Sequence, residues 1–168
     1  MDFKNILINK SKDEYGEIYQ SHVLEIYKIY LEMGDKISTR REKANSFFLA
    51  LNTAVIGLVG YANVALGVVA QSSRIPITIA GIVLSYLWYR MIRSHKDLNS
   101  AKFRVLHAIE SFLPLRPYDA EWEAVGRGKN SKLYLPFTHI EIIVPWIFIA
   151  LHLYFLIIMI PFKQLLCR

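Results

Sequence analysis

Two long stretches of this chain are almost free of charge, and a soluble domain of this size cannot easily bury them. From Ala44 to Tyr89 the only formal charge is Arg74, and from Ile142 to Phe162 there is none. About 20 apolar residues in a helix cross the roughly 30 Å hydrocarbon core of a bilayer. A buried helix of a soluble bundle rarely lacks a polar face over such a length. The chain is therefore predicted to be an integral membrane protein.

The charge-free stretches divide into three predicted transmembrane helices. The first covers Ala44 to Ala70, the second Ile75 to Tyr89, and the third Ile142 to Phe162, with Pro145 near its start. The polar residues Gln71 to Arg74 are predicted to form the turn of a hairpin between the first two. The fold class is therefore all-α, with three transmembrane helices and helical extensions on the cytoplasmic side.

Lysine and arginine set the predicted topology. They are concentrated before the first span and after the second, whereas only Arg74 lies between those spans. Because cytoplasmic segments are rich in Lys and Arg, we expect the N-terminus and the middle segment to be cytoplasmic. The predicted regions are a cytoplasmic N-terminal helical region (1–43), a transmembrane hairpin (44–92), a cytoplasmic basic region (93–141), a third transmembrane helix (142–162) and a C-terminal tail (163–168).

The segment from Tyr15 to Lys43 is predicted to be one long helix. A heptad-like apolar stripe runs along it, and it packs either on a neighbouring helix of the same chain or on another subunit. No proline separates this segment from the first span, so one helix is expected to continue into the membrane. Arg90 to Phe112 is predicted to continue the second span in the same way. The stripe consists of Val23, Tyr27, Tyr30, Gly34 and Ile37.

The first span carries small and polar residues at heptad-like spacing, interrupted by Val64. Small residues let helices approach closely in lipid, and polar residues can line a water-filled pore. Three spans cannot enclose a pore, so a channel requires a homo-oligomer. An ionisable residue within a span, as in the third, usually faces protein or water. The candidates for pore lining or helix packing are Asn45, Ser46, Asn52, Thr53, Gly57, Gly60, Asn63 and His152, and the small stripe also includes Ala50 and Gly67.

Basic residues of the predicted cytoplasmic region form a second candidate site. Those nearest the second span, Arg90 and Arg93, are explained by topology or by contact with anionic lipid. Others lie farther from the spans, among aromatic residues, and are candidates for binding a nucleotide or a short oligonucleotide by charge and stacking. These are Lys102, Arg104, Arg116, Arg127, Lys129 and Lys132.

Catalytic patterns are not evident in the sequence. Gly126 to Lys129 lacks the spacing of a phosphate-binding loop, the five histidines are scattered, and Cys167 is the single cysteine. Neither a nucleophile motif nor a zinc motif is present. We therefore predict that the chain is not an enzyme, with no catalytic residues, no metal site and no cofactor.

Several short segments resemble the RipA family of small bacterial membrane proteins. They span roughly Arg40 to Ile149. The resemblance implies a bacterial inner-membrane protein that forms a large homo-oligomer. The matching segments are Arg40 to Ala54 (RREKANSFFLALNTA), Leu87 to Arg90 (LWYR), Leu98 to Phe103 (LNSAKF), Pro117 to Trp122 (PYDAEW) and Leu135 to Glu141 (LPFTHIE).

The architecture is also similar to that of small transmembrane effectors of anti-phage systems, such as the HalA-type ion-channel effectors of the Hailong system. This resemblance implies a membrane channel controlled by a cytoplasmic nucleotide signal. Two hypotheses follow. The protein is a homo-oligomeric channel gated from the cytoplasm, or it is a nonconducting oligomeric scaffold that recruits a partner protein.

Overall fold

All regular elements in the described part of the chain are helical, which confirms the all-α prediction. The computed structural model describes residues 6–64, 71–130 and 132–159, without the side chains of residues 62–64 and 71–73. Within these residues, three helices are long and apolar enough to cross a membrane. The elements are α1 (Lys12–Tyr15), α2 (Tyr19–Val64), α3 (Gln71–Glu110), α4 (Pro117–Ala124), a 3-10 turn (Gly126–Gly128) and α5 (Phe137–Met159).

Helix α2 is continuous from Tyr19 to Val64, as the absence of proline predicted. The prediction that it starts at Tyr15 was wrong, because Gly16 interrupts the chain with a φ of 90°. A glycine adopts this backbone conformation at little cost, so the chain turns there between α1 and α2.

Helices α3 and α5 both begin earlier than predicted. The predicted turn at Gln71 to Arg74 belongs to α3, which then continues through the second apolar stretch to Glu110. Helix α5 begins at Phe137, so Pro145 lies inside it rather than near its start. Helix α5 continues through Pro145, although a proline inside a helix removes one backbone hydrogen bond and crowds the carbonyl four residues earlier. The predicted span ends at Ala70 and Phe162, and the tail 163–168, lie outside the described residues.

The chain divides into two compact units. Unit 1 comprises Met1–Arg40 and His95–Pro136, and unit 2 comprises Arg41–Ser94 and Phe137–Arg168. The charge-free stretches of the sequence all lie in unit 2. All six of the predicted ligand-binding lysines and arginines lie in unit 1, so the two candidate sites belong to different units.

The core of unit 1 joins α2 to the end of α3. Tyr27 packs with Leu106 and Ile109, and Val23 and Tyr30 lie against this cluster. These α2 residues belong to the heptad-like stripe of the sequence. Within unit 1 the stripe therefore packs on a helix of its own chain, which is one of the two alternatives that the sequence left open.

Glu110, at the end of α3, is fully buried and hydrogen-bonded to two other helices. Its carboxylate accepts from the Tyr27 hydroxyl at 2.9 Å and from the backbone N–H groups of Tyr118 and Asp119 at 2.9 and 3.1 Å. The first N–H groups of a helix have no partner within the helix and attract negative charge. Glu110 therefore caps α4 and fixes it to α2 and α3.

Tyr27→Phe is expected to lower the stability of unit 1 by about 1.5–3 kcal/mol, the usual contribution of a hydrogen bond to a charged group. Thermal unfolding of the detergent-purified protein, followed by tryptophan fluorescence, measures the change. The matched control is Tyr15→Phe, which removes an exposed hydroxyl contact to His22 and should shift the melting temperature much less. Equal shifts for the two variants would contradict the role given to Glu110.

Candidate functional site

Three helices of unit 2 are joined at one end of their apolar segments by hydrogen bonds to Asn45 of α2. Its amide nitrogen donates to Glu141 Oε1 on α5 at 2.8 Å, and its amide oxygen accepts from Trp88 Nε1 on α3 at 2.9 Å. Arg41 Nε lies 3.6 Å from the same carboxylate oxygen. Asn45 therefore donates one hydrogen bond and accepts one inside its own protomer.

A second polar contact lies one to two helical turns farther along. The Ser85 hydroxyl on α3 is 2.7 Å from Asn52 Oδ1 on α2 and 2.8 Å from the carbonyl of Gly81. Asn52 donates in turn to the carbonyl of Phe48 at 2.9 Å. Asn52 and Ser85 are both fully buried. Each is therefore enclosed by the helices of a single protomer.

His152 of α5 lies directly against the backbone of α3 at Gly81. A methyl group added at Gly81 would overlap the imidazole ring, so glycine is required for this approach. The ring is fully buried, and among the described residues neither of its nitrogens has a hydrogen-bond partner. Together, the polar residues buried between the helices of unit 2 form what we call the polar seam: Asn45, Asn52, Ser85, Trp88, Glu141 and His152.

Sequence reasoning found only part of the polar seam. It identified Asn45, Asn52 and His152 but missed Ser85 and Glu141 as their surroundings. A signal was present in α3, because Thr78, Gly81, Ser85 and Trp88 recur at spacings of three and four within an apolar helix. Thr78 is also fully buried, with its hydroxyl 3.9 Å from the sulfur of Met159.

A different face of α2 is exposed in the described part of the protomer. Ser46, Ala50, Thr53 and Gly57 are exposed, and among the described residues no atom beyond the adjoining turns of α2 lies within 4 Å of a methyl group built at Gly57 or at Gly60. The Thr53 hydroxyl donates to the carbonyl of Leu49 at 2.8 Å, so its polarity is satisfied within the helix. We call these five residues (Ser46, Ala50, Thr53, Gly57 and Gly60) the small face.

Helix geometry separates the small face from the polar seam. Successive residues are about 100° apart around a helix, so Ser46, Thr53 and Gly57 point within about 20° of one direction. Asn45 and Asn52 point about 100–120° away from it. The candidates of the first span therefore divide into an inner set and an outer set. Asn63 and Gly67 lie outside the described side chains.

Lys102 differs from the other basic candidates because it is buried. It is 9% exposed, and its ammonium has no hydrogen-bond acceptor among the described residues. The ammonium lies 5.3 Å from the centre of the Tyr30 ring, a cation–π contact that recovers part of the lost hydration. An unpaired buried charge destabilises a fold, so Lys102 lowers the stability of unit 1 in this conformation.

The remaining basic candidates lie on the surface of unit 1. Arg127 is paired with Asp119 and Glu123, and the pair with Glu123 raises the pKa of its guanidinium above the ordinary value. Gly126, Arg127 and Gly128 form a short turn with positive φ at all three positions. Arg104, Arg116, Lys129 and Lys132 are exposed.

Gly81→Ala is expected to destabilise unit 2, because the added methyl group displaces His152 and this outweighs the better helix propensity of alanine. The cost is about 1–3 kcal/mol, measured as thermal unfolding in detergent. His152→Ala in the same chain should restore much of the loss by removing the overlap. Gly34→Ala is the matched control, since nothing lies within 4 Å of that position. A stable Gly81→Ala protein with unchanged melting would refute the close contact.

Lys102→Met is expected to stabilise unit 1, because methionine fills a similar volume without a buried charge. The gain is on the order of 1–3 kcal/mol, the cost of an unsatisfied buried donor, and thermal unfolding without ligand measures it. Lys28→Met makes the same charge change at an exposed position of α2 and should have little effect. A lower melting temperature for Lys102→Met would show that the ammonium has a stabilising partner.

The comparisons with known proteins agree with this architecture. The sequence pattern of the octameric membrane protein family (8xMP) matches residues 24–161, which begin at Leu24 within α2 and include the rest of α2 together with α3, α4 and α5. No curated protein matched the chain, and no solved structure matched it. The match covers well over half of the sequence and includes the three apolar helices. The chain belongs to the octameric membrane protein family and is an oligomeric membrane protein with transmembrane helices.

Proposed function

We propose that the protein is a homo-oligomeric ion channel of a bacterial inner membrane, gated from the cytoplasm. The observation that carries this proposal is the small face of α2. Ser46, Ala50, Thr53 and Gly57 are exposed, the face bears the hydroxyls of Ser46 and Thr53, and methyl groups built at its glycines would meet no other helix in the described part of the protomer. In an oligomeric family, such a face is available to neighbouring subunits or to a central axis.

A conducting path through a single protomer is disfavoured by its packing. The polar residues between the helices, including Asn52, Ser85 and His152, are fully buried and bonded or in close contact. A pore therefore requires several copies around an axis. Cyclic symmetry gives every subunit the same environment, so eight copies would present eight equivalent hydroxyls of Thr53 to that axis.

The proposed orientation follows the distribution of basic residues. Arg40, Arg41 and Lys43 precede the apolar part of α2, and Arg90 and Arg93 follow that of α3. Only Arg74 lies between the two apolar parts. Under the positive-inside rule this places the N-terminus in the cytoplasm. Unit 1 is then the part of the protein that a cytoplasmic ligand would meet.

Lys102 supports a role for unit 1 in gating by a nucleotide or short oligonucleotide. Its buried ammonium has no acceptor among the described residues, which is unfavourable for the conformation described. A phosphate-bearing ligand would favour a conformation in which Lys102 is exposed and paired with it. A ligand shifts a conformational equilibrium by the difference between its affinities for the two states. In this proposal the channel is an effector of anti-phage defence and has no enzymatic activity.

The alternative is a nonconducting scaffold that recruits a partner protein. Its support is an exposed aliphatic stripe on the part of α2 that belongs to unit 1: Ile26, Ile29 and Met33 are each about half exposed. Exposed apolar stripes of this kind are typical of protein contacts. A second copy of the chain would cover this stripe as well as a different protein would. The stripe is therefore compatible with the homo-oligomeric channel, and the channel hypothesis also uses the small face.

Charges placed at Thr53 test the pore. In planar bilayers with a salt gradient, Thr53→Asp should move the reversal potential toward that of the cation, and Thr53→Lys toward that of the anion, since rings of charge select ions. Thr53→Val is the matched control, because it keeps the size and should leave the selectivity unchanged. The mass of each purified oligomer shows whether assembly survives.

Two results would contradict the channel. An intact oligomer that passes no current, with or without nucleotides or oligonucleotides, would favour the scaffold. Currents whose reversal potentials are identical for Thr53→Asp and Thr53→Lys would place the pore elsewhere. Asn52→Leu is unsuitable for this test, because Asn52 bonds to Ser85 inside the protomer and its loss would destabilise the helix packing.

A further inference from the structure

In the described part of unit 1, one apolar surface of α2 is exposed. Ile26 is 49% exposed, Ile29 53% and Met33 46%, and their spacings of three and four residues place them on one side of the helix. We call these three residues the outer stripe. Glu25 and Glu32 are exposed beside it, so the hydrocarbon of a membrane is an unfavourable environment for this surface. An exposed apolar surface of this kind indicates contact with protein.

Unit 1 exposes a second apolar surface around its 3-10 turn. Trp122 is 37% exposed and Leu133 is 63% exposed. A methyl group built at Gly128 would lie 3.1 Å from the Trp122 ring, and one built at Gly126 would lie 3.5 Å from Leu133. Both side chains therefore pack on the same turn and form one surface. Tryptophan is enriched in the centres of protein interfaces. We use the name basic patch for Trp122, Leu133 and the two exposed lysines next to them, Lys129 and Lys132.

The outer stripe and the basic patch differ in charge. From residue 19 to residue 35, α2 contains three acidic residues and one basic residue. From residue 124 to residue 136 the sequence contains no Asp or Glu. Glu25 and Glu32 border the outer stripe on one side. The contact of Glu32 with Lys36 joins two exposed side chains, so it is weak and leaves Glu32 available to another partner. Opposite charges on two surfaces favour their association and fix its register.

The two surfaces lie at a similar level along the helices of unit 1. Tyr27, next to Ile26 of the outer stripe, bonds to Glu110 of α3. His107, one helical turn before Glu110, has its Nδ1 3.4 Å from Asp119 Oδ1, and Arg127 of the 3-10 turn is paired with the same oxygen at 3.4 Å. The 3-10 turn is therefore within about two helical turns of the outer stripe in the direction of α2.

A second copy of the chain is the partner that these observations favour. The chain belongs to an octameric family, and a ring of identical subunits joins each copy to the next through two different surfaces. Both surfaces are present on this chain, and they are complementary in charge. Because they lie at a similar level, rotation about an axis along α2 brings the outer stripe of one copy against the basic patch of the next. Two outer stripes that met in parallel would instead bring like charges together.

We propose that unit 1 assembles head to tail, with the outer stripe of each subunit packed on the basic patch of the next. Ile29 contacts Trp122 and Leu133 of the neighbouring subunit. Glu25 and Glu32 lie against the two lysines of that patch. These lysines then serve assembly rather than binding of a phosphate-bearing ligand. The contact rests on the self-association of the family and does not depend on whether the oligomer conducts ions.

Photo-crosslinking of the full-length protein tests this contact. Cys167→Ser removes the single cysteine, and Ile29→Cys then carries a benzophenone label. Irradiation of the detergent-purified oligomer should give covalent dimers on a denaturing gel. Mass spectrometry of the digested dimers should join the α2 peptide to a peptide that contains Trp122 or Leu133. The control label at Asp35→Cys is exposed and about 120° around α2 from Ile29, and it should give far fewer dimers.

Charge reversal provides the second arm of the experiment. Glu25→Lys with Glu32→Lys, or Lys129→Glu with Lys132→Glu, places like charges across the contact. Each pair of changes should lower the yield of dimers about threefold or more. The four changes together restore opposite charges and should recover most of the yield. Native mass spectrometry of each variant shows whether it is still an oligomer, and Ile26→Cys replaces the Ile29→Cys label if that variant does not assemble.

Three results would overturn the head-to-tail contact. The first is an intact oligomer that gives no dimers from either label position of the outer stripe. The second is a set of dimers joined through two α2 peptides, which would show that the stripe packs on itself. The third is a yield that neither charge reversal lowers or that the four changes together do not recover. None of these results bears on the proposed channel, because no current is measured.

Discussion

The packing of the three membrane helices depends on polar contacts and on one close backbone approach. Lipid is as apolar as the side chains, so there is no hydrophobic driving force to bring the helices together. In a bilayer, helices associate through tight packing and hydrogen bonds between them. The polar seam supplies both: Asn45 bonds to two neighbouring helices, Asn52 bonds to Ser85, and Gly81 admits the ring of His152. Asn45 and Asn52 of α2 are therefore used inside the protomer, whereas Ser46, Thr53 and Gly57 of the small face are exposed.

Unit 1 is held together by burial and by one well-satisfied carboxylate. Glu110 has partners on both oxygens, whereas Lys102, two turns earlier on the same helix, has no acceptor among the described residues. The hydrogen bonds of Glu110 stabilise the described conformation of unit 1, whereas the buried ammonium of Lys102 destabilises it.

Hydropathy predicted the three membrane helices, and the absence of proline predicted the continuity of α2, because both depend on properties that are local in the chain. The missed boundaries depended on single backbone conformations: Gly16 ends α1, and the polar residues after Gln71 are helical. Contacts between residues that are distant in the chain could not be predicted from the sequence. Asn45 and Glu141 are 96 residues apart, and neither segment contains a pattern that predicts its contact with the other. Ser46 and Asn52 looked equivalent until the buried side of α2 was known. In the same way, Lys102 resembled its exposed neighbours in charge.

The Tyr27–Glu110 hydrogen bond has a consequence for how the protein is made. Its partners are 83 residues apart, and ribosomes add about 5–20 residues per second. Tyr27 is therefore synthesised several seconds before Glu110, whose carboxylate accepts its hydrogen bond. The apolar residues between Ala44 and Tyr89 are synthesised in that interval, so the two halves of unit 1 meet only after the chain between them has been made. Slow synthesis of that stretch would leave the aliphatic and aromatic residues of α2 exposed to chaperones and proteases.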